Sequence, residues 1–353
     1  MAGGITDSRG RQVLAGPQIR QIFGLHAKTS CQYVLGNLGY AYFLMKSGTR
    51  SGLRLTLLLL LVGGVYLVMH NYEQQFVYAP SPFIKKTPRE VKLSYDNIAL
   101  TTDDGVNIQG WFVPAHAPED PPVTNTPTLT LLFFHGGVGN ISDGLAKIHL
   151  LHDMGLDVFT VDYHGYGKSG GTPSESGLAS DAFAAYSYLM DQRHVKPERV
   201  YLYGEDLGAA VAIELATKVR AAGLITEGAT ASVIEKIEEA WPLIPWQFLL
   251  RNKFDSLTNI RNVHMPVLNI HSTEDNVVPV DDSRRLSALA HEPKELVEIH
   301  GAHCDAFVHS LDSFDLYYDK VSHFILDQPK DKTADTPVST QTAAPASKDP
   351  TPR

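Results

Sequence analysis

Three short motifs hold the residues most able to do chemistry, and each follows an apolar run. The first, GEDLG at 204–208, places Asp206 between two glycines where an apolar run changes into a helical pattern. Glycines at this spacing permit the sharp strand-to-helix turn of a nucleophile elbow, which lifts its central side chain above a sheet. Serine is the usual residue at that centre. The motif therefore predicts a nucleophile position at Asp206, occupied by an unusual residue.

The other two motifs supply an acid and a base. Asp275 follows the apolar run VLNIHST, and His303 follows LVEIHGA in a glycine-containing loop. A carboxylate can hold a histidine in one tautomer, and that histidine then acts as general base. The chain order of elbow, acid and histidine predicts a triad of Asp206, Asp275 and His303.

A further motif, FFHGGVGN at 133–140, predicts donors for a developing negative charge. In this layout the backbone N–H of Gly137 faces the elbow. The N–H of Leu207 lies at the start of the helix after the elbow, where unpaired N–H groups favour anions. Gly137 and Leu207 are therefore the predicted oxyanion hole.

Ser169 stands in GKSGG at 167–171, which also matches G-x-S-x-G. An elbow needs a strand directly before it and a helix directly after it. Here the preceding apolar run ends at Tyr163, and Thr172-Pro173 follow instead of a helical pattern. We therefore expect Ser169 to be a loop residue.

The elements that position these motifs are short apolar strands alternating with helices. This pattern predicts an α/β fold with a mostly parallel, doubly wound sheet, which binds ligands at the carboxyl ends of its strands. A hairpin turn is expected at Asp103-Asp104-Gly105 within 96–114, and Gly223 is expected to end the helix after the elbow. Further strands are predicted in 128–137, 157–163, 200–206, 267–273 and 296–303, and helices in 141–155, 178–194 and 207–223.

Composition excludes several classes of function. The net charge of −9 gives no basic footprint for nucleic acid. The two cysteines, Cys31 and Cys304, form neither a disulfide framework nor a thiolate metal site. His300, His303 and His309 cluster without carboxylates at ligand spacing. We therefore expect no metal and no cofactor.

Residues 53–72 form the longest apolar run and predict a transmembrane signal anchor. As a helix, Leu55 to Tyr72 would be about 27 Å long, close to the ~30 Å core of a bilayer. Positive residues precede this run and none follows it before Lys85. This asymmetry predicts a cytoplasmic N-terminus and a domain on the exported side: periplasm, cell exterior or organelle lumen. A cleaved signal peptide, an organellar transit peptide and a start at Met45 are the alternatives.

The predicted organisation has four parts. An N-terminal cytoplasmic or targeting segment (1–52) and the anchor precede a catalytic domain at 76–327. That domain includes a short cap insert at about 228–266. The tail at 328–353 has no aromatic residue and is expected to be disordered.

From about Gln75 to Leu326 the sequence resembles the α/β-hydrolase fold. It is most similar to membrane-anchored α/β-hydrolase domain-containing proteins of the serine-aminopeptidase-like branch. The motifs HGGVGN, DYHGYGKSGGTPSE, YGEDLGAAVA and GAHCD carry this resemblance in order. It implies carboxylic ester or thioester hydrolysis of a small-molecule or lipid-like acyl substrate. In that branch the elbow reads G-E-S-L-G, so the catalytic serine maps onto Asp206.

Three interpretations of Asp206 stay open at this point. It is a nucleophile, as in haloalkane dehalogenases and epoxide hydrolases, although Leu207 replaces the Trp those families have and the cap insert has no Tyr. Alternatively, the domain is a pseudo-enzyme that binds ligands, because an ion pair with Asp206 would make His303 a poor base. The last interpretation is a serine hydrolase altered at this position.

Overall fold

The computed structural model describes residues 77–115, 128–240, 250–304 and 310–326, with scattered residues between 52 and 64. The chain divides into two compact units, 1–72 and 73–353. In the first unit, the described residues are helical. Within the described residues, no helix has both the length and the apolar character needed to cross a membrane. Much of the predicted anchor at 53–72, and the whole tail at 328–353, lie outside the described residues.

The second unit is built around a sheet of eight strands in the order β10-β9-β8-β7-β4-β6-β3-β2. Strands β2 and β3 form the predicted hairpin, and β3 also pairs antiparallel with β6, whereas the other neighbours are parallel. A separate parallel pair joins β1 to β5. The strands are β1 (Ala79–Pro80), β2 (Asp96–Thr101), β3 (Asn107–Val113), β4 (Thr130–Phe134), β5 (Val138–Gly139), β6 (Asp157–Val161), β7 (Val200–Glu205), β8 (Gly223–Glu227), β9 (Val267–Ser272) and β10 (Lys294–Ile299).

Helices cover both faces of this sheet, as the predicted doubly wound fold requires. All five residues of β4 are buried. Leu132 and Phe134 join one apolar cluster, and Leu131 and Phe133 join the other, because successive strand residues point to opposite faces. The helices are α1 (Leu145–Asp153), α2 (Glu175–Asp191), α3 (Leu207–Ala216), α4 (Val233–Ala240), α5 (Ser256–Ile260), α6 (Val280–Leu289) and α7 (Leu311–Leu326).

The strand order reverses around β4. After β4 the chain adds β6 on one side, and it then returns to add β7 on the other side. A crevice opens at such a reversal, beyond the carboxyl ends of the strands. The loops that follow β4 and β7 carry Gly137 and Asp206, so the topology brings the predicted oxyanion loop to the elbow.

The predicted end of the helix after the elbow was wrong. Helix α3 ends at Ala216, and Gly223 is the first residue of strand β8 rather than the end of α3. A side chain at Gly223 would meet the Phe324 ring at 2.8 Å, so glycine is required here for packing. The predicted cap insert contains α4 and α5, while 241–249, with Trp241 and Trp246, lies outside the described residues.

Candidate active site

The elbow at Asp206 has the strained backbone that its motif predicts. Asp206 has φ 52° and ψ −120°, a conformation that side-chain-bearing residues rarely adopt. A Cβ atom on Gly204 would lie 2.1 Å from the Gly208 carbonyl oxygen, and one on Gly208 would lie 2.2 Å from the Phe134 carbonyl oxygen. Both glycines are therefore needed to bring strand β7, helix α3 and strand β4 this close together.

The loop after β4, which contains the predicted oxyanion donor Gly137, is held in place by hydrogen bonds that its carbonyl groups accept. The Gly137 carbonyl accepts hydrogen bonds from the Ala79 N–H at 3.0 Å and from the Tyr166 hydroxyl at 2.8 Å. The Tyr163 hydroxyl donates to the His135 carbonyl at 2.8 Å. These bonds fix the loop with the Gly137 N–H directed at the elbow.

The Asp206 carboxylate lies at the predicted oxyanion donors and accepts a hydrogen bond from one of them. The Gly137 N–H donates to Asp206 Oδ2 at 2.9 Å, and the Leu207 N–H also stabilises the ionised carboxylate. Asp206 precedes α3, but its side chain makes no helix-capping hydrogen bond. The carboxylate thus occupies the place where an oxyanion would bind.

The predicted acid and base form a close pair. His303 Nδ1 lies 2.6 Å from Asp275 Oδ2. The Asp275 side chain is 1% exposed, and its other oxygen accepts the N–H groups of Val277 and Val278, each at 2.8 Å. Burial opposes ionisation of Asp275, yet hydrogen bonds from His271, His303 and the two N–H groups hold its pKa far below the usual range. Asp275 is therefore ionised, and its carboxylate orients the His303 ring.

The histidine completes the triad. His303 Nε2 lies 3.5 Å from Asp206 Oδ1, and the Asp206 side chain keeps 29% of its surface exposed. Burial lowers the pKa of His303, but its hydrogen bonds to Asp206 and Asp275 outweigh burial and raise the pKa to about 10. Burial likewise opposes ionisation of Asp206, but His303 and the Gly137 and Leu207 N–H groups lower its pKa. At neutral pH the resting site is an imidazolium between two carboxylates.

A buried polar cluster behind the elbow was missed by sequence reasoning. Lys147 of α1 pairs with Glu227 at the end of β8, and both side chains are 3% exposed. Tyr203 donates to the same carboxylate, and its hydroxyl lies 2.7 Å from that of Tyr317. In the sequence, Lys147 stands on a helix and gives no sign of burial. Only the isolated charge at the end of the apolar run GLITE, residues 223–227, could have drawn attention to Glu227.

The remaining residues singled out from the sequence stand apart from the reacting atoms. The Ser169 hydroxyl donates to the Asp162 carbonyl at 2.7 Å and accepts the Gln109 N–H at 2.9 Å, so Ser169 is the loop residue that was predicted. His300 is exposed beside Glu274, and His309 lies outside the described residues. In the described part of the chain, no group of three or more His, Cys, Asp or Glu residues could hold a metal ion.

Comparison with known proteins agrees with this fold. A profile of the α/β-hydrolase fold matches residues 130–250. Protein Rv2307c of Mycobacterium tuberculosis is 34% identical over 242 residues, which cover 69% of this chain and 84% of that protein. The chain belongs to the α/β-hydrolase family.

Other members and structures are consistent with this assignment. Protein bem46 of Schizosaccharomyces pombe is 32% identical to this α/β-hydrolase over 259 residues, 69% of this chain and 82% of bem46. The esterase Pf2001 of Pyrococcus furiosus superposes with a TM-score of 0.55 at 19% identity, covering 70% of this chain and 98% of the esterase. At that identity the likeness concerns the fold. Family and fold together mark the protein as a hydrolase.

Proposed function

We propose that this α/β-hydrolase cleaves its substrate in two steps, with Asp206 as the nucleophile. The proposal is carried by one observation: the two oxygens of the Asp206 carboxylate have different surroundings. Oδ2 is bound by the Gly137 N–H at 2.9 Å, while Oδ1 lies 3.5 Å from His303 Nε2 and belongs to a side chain that is 29% exposed. One oxygen is thus anchored, and the other is left to react.

In the first step, Oδ1 attacks a saturated carbon that bears a leaving group. A new C–O bond forms, and the leaving group departs with the electron pair of the bond that breaks. The product is an ester of Asp206, and its carbonyl oxygen, Oδ2, already accepts the Gly137 N–H. Haloalkanes are substrates of this class. Epoxides are also substrates, but the oxygen that leaves the attacked carbon stays attached to the product and takes its proton from the His303 imidazolium.

In the second step, water attacks Cγ of the ester and His303 takes a proton from it. The ester carries no charge, so the attraction that holds a proton on His303 is weakened when the base is needed. The negative charge that develops on Oδ2 is stabilised by the two N–H groups. Collapse releases an alcohol, which receives the proton from His303, and leaves Asp206 as a carboxylic acid. The remaining proton of that acid passes to His303, which restores the carboxylate and the imidazolium.

Acyl transfer fits the same geometry less well. Hydrolysis of a carboxylic ester or thioester needs the oxyanion hole for the oxygen of the substrate carbonyl, but Asp206 already occupies it. Attack by the carboxylate would also produce a mixed anhydride. The ester or thioester hydrolysis implied by the resemblance therefore requires serine at position 206, where this protein has aspartate.

The surroundings of the triad favour a neutral substrate with an apolar body. Val138 follows the oxyanion glycine and is 73% exposed, and Val277 follows the acid and is 62% exposed. Asp206 and Asp275 are both anionic, which disfavours an anionic substrate.

The test uses the full-length protein with a short bromoalkane and an aryl epoxide. The variant His303→Gln should form the ester but not hydrolyse it, so the mass of the peptide that contains Asp206 should increase by the alkyl group. The native protein, after one turnover in water enriched in heavy oxygen, should carry the label in the Asp206 carboxylate. Asp206→Asn should do neither. Turnover with no label and no adduct at Asp206 would exclude this nucleophile.

A second candidate is binding without turnover, favoured by the high pKa of His303, which keeps it protonated in the resting site. In that case neither substrate class gives an adduct or product. An analogue without a leaving group would still bind, and it would bind the native protein and Asp206→Asn with different affinities.

A further inference from the structure

The charged cluster behind the elbow brings three ionisable side chains together. The Lys147 ammonium contacts Glu227 directly and lies 4.0 Å from Glu205 Oε2. Its nitrogen also stands 4.9 Å from the centre of the Tyr317 ring. One cation therefore faces two carboxylates, and the cluster keeps one negative charge when all three groups are ionised.

Glu205 joins this cluster to the triad. It is the last residue of β7, directly before Asp206, and it is the register partner of Glu227 on β8. Its side chain is only 15% exposed. Burial raises the pKa of Glu205 to about 7, although the charge of Lys147 opposes that rise.

The backbone of Glu227 makes a second connection. Its carbonyl accepts the Asp206 N–H at 3.0 Å, and Cys304 Sγ lies 3.6 Å from the same oxygen. Cys304 Sγ is also 3.6 Å from His303 Nε2. Glu227, the partner of Lys147 at the end of β8, thus also binds the backbone of the elbow residue Asp206. Through Cys304, the same end of β8 lies next to His303.

We propose that Glu205 and Lys147 are positioning residues that set the protonation of His303. The Glu205 carboxylate, which lies directly before Asp206 in the chain, favours the imidazolium form of His303. The Lys147 ammonium on helix α1 partly offsets the charge of Glu205 and so weakens this effect. Neither residue touches the reacting atoms in this arrangement, so both act through the charge and placement of His303.

Three groups around His303 keep their charge across the relevant range: Asp206, Asp275 and Cys304. Asp206 and Asp275 have lowered pKa values and stay anionic, and burial raises the pKa of the Cys304 thiol, so it stays neutral. His271 Nε2 lies 3.4 Å from Asp275 Oδ2, the same oxygen that His303 Nδ1 contacts. Glu227 is paired with Lys147. Glu205 is therefore the carboxyl near His303 whose charge changes around neutral pH.

The consequence for catalysis rests on the proposed function. His303 must release its proton before it can activate water in the second step. Protonation of Glu205 removes a negative charge near His303 and favours the neutral imidazole. At a given pH, breakdown of the Asp206 ester is then expected to be faster when Glu205 is neutral than when it is ionised.

The test is the titration of His303 itself, which needs no substrate and stands even if the proposed reaction is wrong. In full-length protein with isotope-labelled histidine, the His303 signal is assigned by its absence in His303→Gln. Glu205→Gln removes a negative charge, so the His303 pKa should fall by about one unit. Lys147→Met removes a positive charge, so the same pKa should rise by a similar amount. The double variant Glu205→Gln/Lys147→Met restores the native net charge and should return the titration towards that of the native protein.

Opposite shifts that cancel in the double variant are not produced by loss of packing alone. Glu214→Gln is the matched control, because Glu214 lies on α3 but pairs at the surface with Lys218, and its His303 titration should match the native one. Lys147→Met leaves Glu227 without its cation, so its folding is checked by circular dichroism. If it does not fold, Glu205→Gln alone decides. An unchanged His303 titration in Glu205→Gln, or shifts of the same sign in both single variants, would overturn the proposal.

Discussion

The Gly137 N–H donates a hydrogen bond to Asp206 Oδ2 over 2.9 Å, so the residue at the nucleophile position fills its own oxyanion hole. A serine hydroxyl has one oxygen and leaves this N–H group for the substrate. A carboxylate has two oxygens, and it can bind the N–H group with one while presenting the other. This relationship separates the site from that of a serine esterase, although the fold is shared.

Exchange of the nucleophile should change the type of reaction. In Asp206→Ser the Gly137 and Leu207 N–H groups become available to a substrate carbonyl, and the His303 pKa should fall because one carboxylate is gone. We expect hydrolysis of nitrophenyl esters at least about a hundredfold faster than in Asp206→Asn, the range attributed to a general base. Release of nitrophenol and labelling by a fluorophosphonate measure this gain. Equal rates in the Ser and Asn variants would contradict the assigned triad.

Protonation of His303 should make stability depend on pH. Its pKa is raised to about 10 in the folded protein, against about 6.5 in an unfolded chain. The contribution is therefore fully present below about pH 6.5 and is lost as pH rises towards 10. Denaturant unfolding at pH 6 and pH 10 should show a loss of a few kcal/mol in native protein, since one pKa unit corresponds to about 1.4 kcal/mol. In His303→Gln most of this difference should disappear.

The elbow should not tolerate a side chain at Gly208. A Cβ atom there would lie 2.2 Å from the Phe134 carbonyl oxygen, which belongs to a central strand and cannot move away. We expect Gly208→Ala to lower the free energy of unfolding by about 3 kcal/mol or more. Gly170→Ala is the control, because its new Cβ would meet its nearest neighbour at 3.5 Å. A similar unfolding midpoint for both variants would disagree with the close approach of β4 and α3.

Loss of the Tyr166 hydroxyl should weaken the oxyanion loop without unfolding the protein. That hydroxyl donates to the Gly137 carbonyl, which keeps the Ala79 N–H as a second donor. A hydrogen bond of this kind contributes about 1 kcal/mol, so Tyr166→Phe should reduce kcat by about fivefold. Tyr186→Phe is the control, because Tyr186 lies on α2, away from the triad, and its hydroxyl makes a partly buried hydrogen bond to the Arg220 carbonyl. A reduction of kcat in that control of the same size would assign the effect to general destabilisation.

The sequence was sufficient to predict the order of the candidate catalytic residues along the chain. Motif spacing placed Asp206, Asp275, His303 and Gly137 at strand ends, because glycine-rich turns and apolar runs are local signals. The end of helix α3 was predicted seven residues too late, at Gly223 instead of Ala216. Helical periodicity continued past Ala216, and the short strand β8 gave no separate signal beside it.

The sequence by itself determined the fold class and the elbow, since both depend on signals from residues that are close together in the chain, and it predicted the three residues of the triad. The tertiary structure decided how these groups act. It placed the Asp206 carboxylate on the Gly137 N–H, put His303 between two carboxylates, and buried Lys147 with Glu227 behind the elbow. Hydrogen bonding, burial and charge at these positions depend on distances between residues far apart in the sequence, and only the folded chain sets those distances.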